Sequence, residues 1–88
     1  MHVHKRRKEA SDRLAKIEGH VRGVKNMVEA EKSCPDILLQ LGAIRAALNK
    51  VSKLVLEDHV ETCLKDAATS GDTEHYIEEL KEALSKLI

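Results

Sequence analysis

Apolar side chains recur at Leu14, Ile17, Val21, Val24 and Val28, spaced 3, 4, 3 and 4 residues apart. That spacing keeps one face of a helix apolar and predicts an amphipathic helix from about Lys5. Gly19 and Gly23 interrupt it, four residues apart on one face. Their expected use is the close approach of another backbone, since each otherwise costs up to about 1 kcal/mol relative to Ala. The polar stretch 29–33 reads as a turn. Ser33-Cys34-Pro35-Asp36 then reads as a helix start: a capping side chain, a proline in the first turn and an acid at the positive helix end. Beyond it, Ile37, Leu41, Ile44, Leu48, Val51 and Val55 keep heptad spacing, widened by Leu38, Leu39, Ala43, Ala46, Ala47 and Leu54. A helix this apolar is buried on more than one side. No Gly or Pro falls between Ala43 and Ser70, so the helix is expected to run past Cys63. Thr69-Ser70-Gly71-Asp72 punctuates its end. A last helix from about Thr73 carries Ile77, Leu80, Leu84 and Leu87 as its stripe. Nothing reads as a strand, a repeat or a low-complexity segment. The expectation is an all-α, three-helix protomer forming one domain over residues 1–88, with residues 1–4 as a loose arm.

Composition sharpens this picture. Tyr76 is the only aromatic residue of the 88. A small helical chain without large rings draws its core from Leu, Ile, Val and Ala, and below roughly 80 residues extra stapling is usual. Helix stripes packing across subunits are the expected solution. The net charge is zero but unevenly spread. Residues 1–32 hold nine Lys/Arg against five Asp/Glu, or +4, and residues 54–88 hold three against nine, or −6. A basic front points to a polyanion partner, although a solvated charged face has the same composition. No apolar run reaches the roughly 18 residues of a membrane span, and the polar, basic N-terminus is not a secretory leader. A cytoplasmic location follows, and there two cysteines are better read as ligands or reactive thiols than as a disulfide.

Those cysteines define the candidate chemistry. His59 and Cys63 are four apart, so a helix sets both on one face about a turn apart, where one ion can bridge them. Cys34 lies 29 positions before Cys63. At 1.5 Å per residue an unbroken helix holds the two about 43 Å apart. One ion can bind both only if two copies of the helix pack antiparallel, the start of one beside the end of the other. The expectation is therefore a homodimer with two equivalent sites, each taking Cys34 from one chain and His59 and Cys63 from its partner. Two thiolates and an imidazole suit three-coordinate Cu(I), whereas Zn(II) or Ni(II) wants at least a fourth ligand, for which His2 or His4 is available. A buried Cys acting as a small hydrophobe beside a surface His is the plain alternative.

At these residues the chain resembles the copper-sensitive operon repressor (CsoR) family, which also includes nickel/cobalt, formaldehyde and persulfide sensors. The likeness covers Arg13-Leu-Ala-Lys-Ile-Glu-Gly-His-Val-Arg-Gly, Cys34-Pro-Asp-Ile-Leu-Leu-Gln, Ala43-Ile-Arg-Ala-Ala and His59-Val-Glu-Thr-Cys63. It implies an antiparallel helical dimer that assembles into a tetramer, and a DNA-binding repressor with no helix-turn-helix. Metal binding would then weaken the grip on operator DNA and derepress efflux or resistance genes. By position, Cys34, His59 and Cys63 would be the copper ligands and Glu79 the carboxylate hydrogen-bonding behind them. The family's tyrosine before the first cysteine is Ser33 here, which alters that hydrogen bonding. Arg13 and Lys50 fall where relatives carry basic residues needed for DNA. His2, 32 residues before Cys34, matches the N-terminal histidine of the nickel/cobalt branch. A His-Cys-His-Cys set suits Ni(II) or Co(II) better than Cu(I).

The basic residues fit the same expectation. Lys5, Arg6, Arg7, Lys8, Arg13, Lys16, Arg22 and Lys25 give the first helix a basic surface, which Arg45 and Lys50 extend from the second. Such a surface binds phosphates of double-stranded DNA with steep salt dependence. There is no aromatic platform for single strands. Glu9, Asp12 and Glu18 interrupt the patch. No nucleophile set or glycine-rich phosphate loop is present, so neither an enzyme nor a small-molecule substrate is expected. A copper buffer or chaperone and a thiol-redox sensor are the rival classes.

Overall fold

The computed structural model describes residues 6–87, with side chains to residue 86. It contains three helices, α1 (Arg7–Glu29), α2 (Cys34–Ser70) and α3 (Thr73–Leu87), and no strand among the described residues. The element order and the uninterrupted α2 agree with the sequence pattern. The segment 1–4, with His2 and His4, and Lys5 lie outside the described residues.

Local chemistry sets each boundary. The Asp36 backbone N–H donates to Ser33 Oγ at 3.3 Å, and Pro35 occupies the first turn of α2. At the far end Gly71 adopts φ 77°, the left-handed conformation that closes a helix, and its N–H donates to Ala67 O at 3.1 Å. Asp72 starts α3 by accepting the His75 N–H on Oδ1 at 3.3 Å. The end of α1 has no glycine. The Glu31 N–H donates to Val28 O (3.1 Å) and the Lys32 N–H to Met27 O (3.0 Å), a Schellman closure with Glu31 at φ 56°.

α2 is the axis of the protomer. Its 37 residues amount to about 55 Å of helix, close to the 57 Å long dimension of a molecule only 23 and 14 Å across. α1 runs antiparallel along its first part, and α3 folds back along its last part. The core is thin. Ala10, Ile17 and Val24, seven apart on α1, meet Ile44 and Val51, seven apart on α2, with Ile37 and Ala47 at the edge.

The expected apolar stripes thus divide into two rows each. On α1, Leu14, Val21 and Val28 stay 45–56% exposed. On α2, Leu41, Leu48 and Val55 stay 38–44% exposed. α3 departs from its expected stripe as well. Tyr76, Leu80 and Ala83 are its half-buried positions, whereas Ile77 and Leu84 are exposed. The side chain of Leu87 lies outside the described residues. A Cβ added at Gly19 or Gly23 would meet nothing within 4 Å, so no second backbone of this protomer uses those glycines.

Candidate metal centre

His59 and Cys63 sit one turn apart on the last third of α2, where α3 folds back over them. Cys63 is 8% exposed, and its Sγ–H donates to the Tyr76 carbonyl at 3.1 Å. Burial pushes this thiol's pKa up, and the nearby Glu79 and Asp66 carboxylates push it further. His59 Nε2 is buried and has no hydrogen-bond partner among the described residues. A buried ring nitrogen left unpaired costs about 1–3 kcal/mol, so it wants an acceptor if it carries the proton and a donor or a cation if it carries the lone pair. Glu79 lines the same shallow groove as His59, together with Glu82, Ala83 and Lys86. It also faces His75 one turn earlier on α3, Oε1 to Nε2, at 3.4 Å.

Cys34 is elsewhere. It is the exposed first residue of α2, placed by the Ser33 cap. Ser33 therefore serves the backbone at the helix start and lies far along α2 from His59. Because α2 is continuous from Cys34 to Ser70, its rise alone holds Cys34 and Cys63 about 43 Å apart. Among the described residues of one protomer, no three His, Cys, Asp or Glu side chains converge on a metal-sized point. The structure thus sets His59, Cys63 and Glu79 in one neighbourhood without converging them on a point, and separates Cys34 from them.

The basic residues divide in the same way. Arg13 of α1 and Lys50 of α2 face one cleft, which they share with Lys53, Leu54 and Glu57. Lys16 and Arg13 border an adjoining groove with Glu9, Asp12 and His20. Arg13 Nη2 also reaches Glu9 Oε1 at 3.4 Å, an exposed pair one turn apart. Arg22 is exposed about half a turn around α1 from Arg13, and Arg45 about 140° around α2 from Lys50. Within one protomer the basic surface of α1 and its extension on α2 thus share one cleft at Arg13 and Lys50, with Lys16 beside it and Arg22 and Arg45 on other faces.

Arg6 and Arg7 also depart from that expectation. Arg6 pairs with Glu61, and its Nε lies 3.8 Å from Glu57 Oε2. The Arg6 N–H donates to Asp58 Oδ1 at 3.5 Å, and Arg7 Nε lies 3.6 Å from Asp58 Oδ2. Lys53 and Asp58 were missed by sequence reasoning. Lys53, three residues after Lys50, was findable from helical spacing; Asp58 meets residues 52 positions away, which no local pattern shows.

Comparison with known proteins places this arrangement. A family model described as metal-sensitive transcriptional repressor matches residues 6–86. The chain belongs to the metal-sensitive transcriptional repressor family. It is 45% identical over 82 residues to the copper-sensing transcriptional repressor CsoR of Bacillus subtilis (strain 168), covering 93% of this chain and 81% of that protein. Its fold superposes on the nickel-responsive transcriptional regulator InrS with a TM-score of 0.89 at 42% identity, covering 100% of this chain and 99% of that one. It also superposes on the Cu(I)-bound copper-sensing repressor CsoR from Geobacillus thermodenitrificans NG80-2 with a TM-score of 0.85 at 37% identity, covering 99% and 91%. A metal-sensing repressor of all-α fold is thus the family to which this protomer, with its paired His59 and Cys63, belongs.

Proposed function

We propose that the chain is a copper-responsive repressor, bound to double-stranded operator DNA when metal-free and released by Cu(I). The observation that carries this reading is the unpaired, buried His59 Nε2 beside Cys63 on a helix too long to bring Cys34 to the same ion within one chain. In this reading two protomers pack their α2 helices antiparallel through the exposed rows Leu41–Leu48–Val55 and Leu14–Val21–Val28, and such dimers pair into a tetramer. Cys34 of one copy then meets His59 and Cys63 of the other. The donors fit a soft cation: two thiolates and one imidazole, with Glu79 in the same groove as His59. Bound Cu(I) would supply a soft, low-coordinate centre tying the start of one α2 to the end of another. Cys63 must lose its proton to serve, against the burial and the Glu79 and Asp66 carboxylates that hold its pKa up. A thiol-redox sensor has no use for an imidazole four residues from its cysteine, so His59 counts against that class.

The names of the copper-sensing relatives support Cu(I). The likeness to a nickel-responsive regulator favours a second reading, Ni(II) or Co(II) with His2 as a fourth ligand; His2 lies outside the described residues. The DNA side rests on the Arg13–Lys50–Lys53 cleft, with Lys16 beside it and Arg22 and Arg45 as outlying contacts. Cytoplasmic action follows from this role, and no described helix is long and apolar enough to cross a membrane. The test is titration of an operator duplex, selected in vitro for binding to the metal-free protein, in the presence of Cu(I), Ni(II), Co(II) or Zn(II). Release by Cu(I) at one equivalent per protomer is expected. Release by Ni(II) or Co(II) alone selects the second reading. Metal binding without any salt-dependent duplex binding selects a copper buffer and overturns the proposal.

A further inference from the structure

The α2 turn that carries His59 has a second working face. At 100° per residue, Glu57 and Glu61 lie about 160° around the helix from His59, and Asp58 lies about 100° around. That face holds the start of α1. Arg6 occupies the N-cap position of α1, and its own side chain makes no capping hydrogen bond to the helix. The capping acceptor is instead Asp58 Oδ1, reached across 52 residues of sequence. Asp58 is 3% exposed, a buried carboxylate at the positive end of the basic helix, with Arg7 on its other oxygen. Arg6 fans over the outer edge of the turn to Glu61 and Glu57. Glu57 in turn borders the cleft formed by Arg13, Lys50 and Lys53. One helical turn therefore touches the metal donors, the anchor of α1 and the basic cleft.

We infer that Asp58, with Glu61, is a positioning residue that couples the metal centre to the DNA-binding helix. The inference rests on the repressor reading above and adds the route by which the two sites communicate. In the metal-free state the clamp fixes the first turn of α1 and holds Glu57 against Arg6, which leaves Lys53, and Arg13 with its exposed Glu9 pair, open to phosphates. A shift of the turn around residue 59 on metal loading loosens that clamp. Glu57 then competes with phosphate for Arg13 and Lys53, and α1 loses its anchored start. Coupling of this kind between two ligands is commonly 5- to 150-fold (roughly) in affinity and is reciprocal.

The test compares wild type with Asp58→Ala, Asp58→Asn and Glu61→Gln as full-length proteins. Operator affinity is measured by fluorescence anisotropy with and without Cu(I), and Cu(I) affinity of the free protein by chelator competition. In wild type the metal-free to Cu(I)-loaded affinity ratio is large. In Asp58→Ala it shrinks about fivefold or more, the scale of losing one helix cap. In Glu61→Gln it shrinks about twofold, the scale of one partly exposed ion pair. Free-protein Cu(I) affinity rises by no more than the same factor, because the metal has no clamp left to loosen, and does not fall as it would on losing a ligand. Asp58→Asn keeps an acceptor oxygen and retains more of the ratio than Asp58→Ala. Hydrogen exchange in the first turn of α1 responds to Cu(I) in wild type and not in the uncoupled variants. A wild-type ratio in both Asp58→Ala and Glu61→Gln overturns the inference. Glu61 is partly exposed, so its variant decides the matter even if Asp58→Ala does not fold. A wild-type ratio of one overturns the repressor reading itself, and the coupling with it. A large wild-type ratio that the variants share overturns the coupling alone.

Discussion

If each site takes Cys34 from one protomer and His59 with Cys63 from another, neither Cys34→Ala nor Cys63→Ala alone contains a complete site, but a mixture does. In a mixed dimer one site loses both cysteines and the other keeps all three ligands. Random exchange makes about half of the dimers mixed, so an equimolar mixture regains roughly a quarter of the wild-type high-affinity capacity. The geometry leaves little room for another result. Thiolates sharing one ion at bond lengths near 2.3 Å have sulfurs within about 5 Å of each other. α2 holds its two cysteines about 43 Å apart. Closing that gap within one chain would mean breaking α2 and unpacking Ile44 and Val51 from α1. The assay is Cu(I) competition against a chromogenic chelator, on differently tagged variants unfolded and refolded together, with mixed dimers isolated through both tags. No capacity in verified mixed dimers, or full capacity in either single variant, would refute the shared-site geometry.

Other outcomes follow from single residues. Gly71 has φ 77° with open space where a Cβ would go, so Gly71→Ala costs only the left-handed conformation, about 1 kcal/mol, and lowers the thermal midpoint by about 4–8 °C. Glu31→Gly has the opposite sign. It relieves the same conformation at φ 56° and, after glycine's own entropy cost, gains about 0.5–1 kcal/mol in chemical denaturation. Lys53→Ala removes one phosphate contact and flattens the slope of log affinity against log salt by about 0.9, while a slope equal to wild type takes Lys53 out of the interface. Leu48→Glu puts a charge in the middle of an exposed apolar row and yields monomers by analytical ultracentrifugation; a variant that keeps the wild-type mass places the interface elsewhere.

The length of α2 was legible because its start and stop are written in local chemistry: Ser33 and Pro35 at one end, Gly71 at the other. The separation of Cys34 from Cys63 follows from that length, and the proposed shared site rests on it. The turn at Glu31 carried no such mark, since its closure uses backbone bonds and a residue type that does not favour the left-handed region. Heptad spacing showed that α2 is apolar on several sides but not which row meets α1. Ile44 and Val51 are taken by Ala10, Ile17 and Val24, and Leu41, Leu48 and Val55 are left outward, a choice fixed by the crossing of two helices. The five basic residues formed one group in the sequence because charge counting ignores helical phase, which sets Arg22 and Arg45 apart from the Arg13–Lys50 cleft. Asp58 was illegible for the opposite reason. Its partners at the start of α1 are 52 residues away, and an aspartate in a run of charge looks like any solvated acid.

The proposed repressor links a metal site at Cys34, His59 and Cys63 to a DNA-binding surface on the same assembly. The most direct measurement is the Cu(I) affinity of the free protein and of the protein saturated with operator duplex, by the same chelator competition at one salt concentration. The account predicts weaker Cu(I) binding to the DNA-bound protein, by the factor with which Cu(I) weakens DNA binding. Equal Cu(I) affinity in the two states would contradict it.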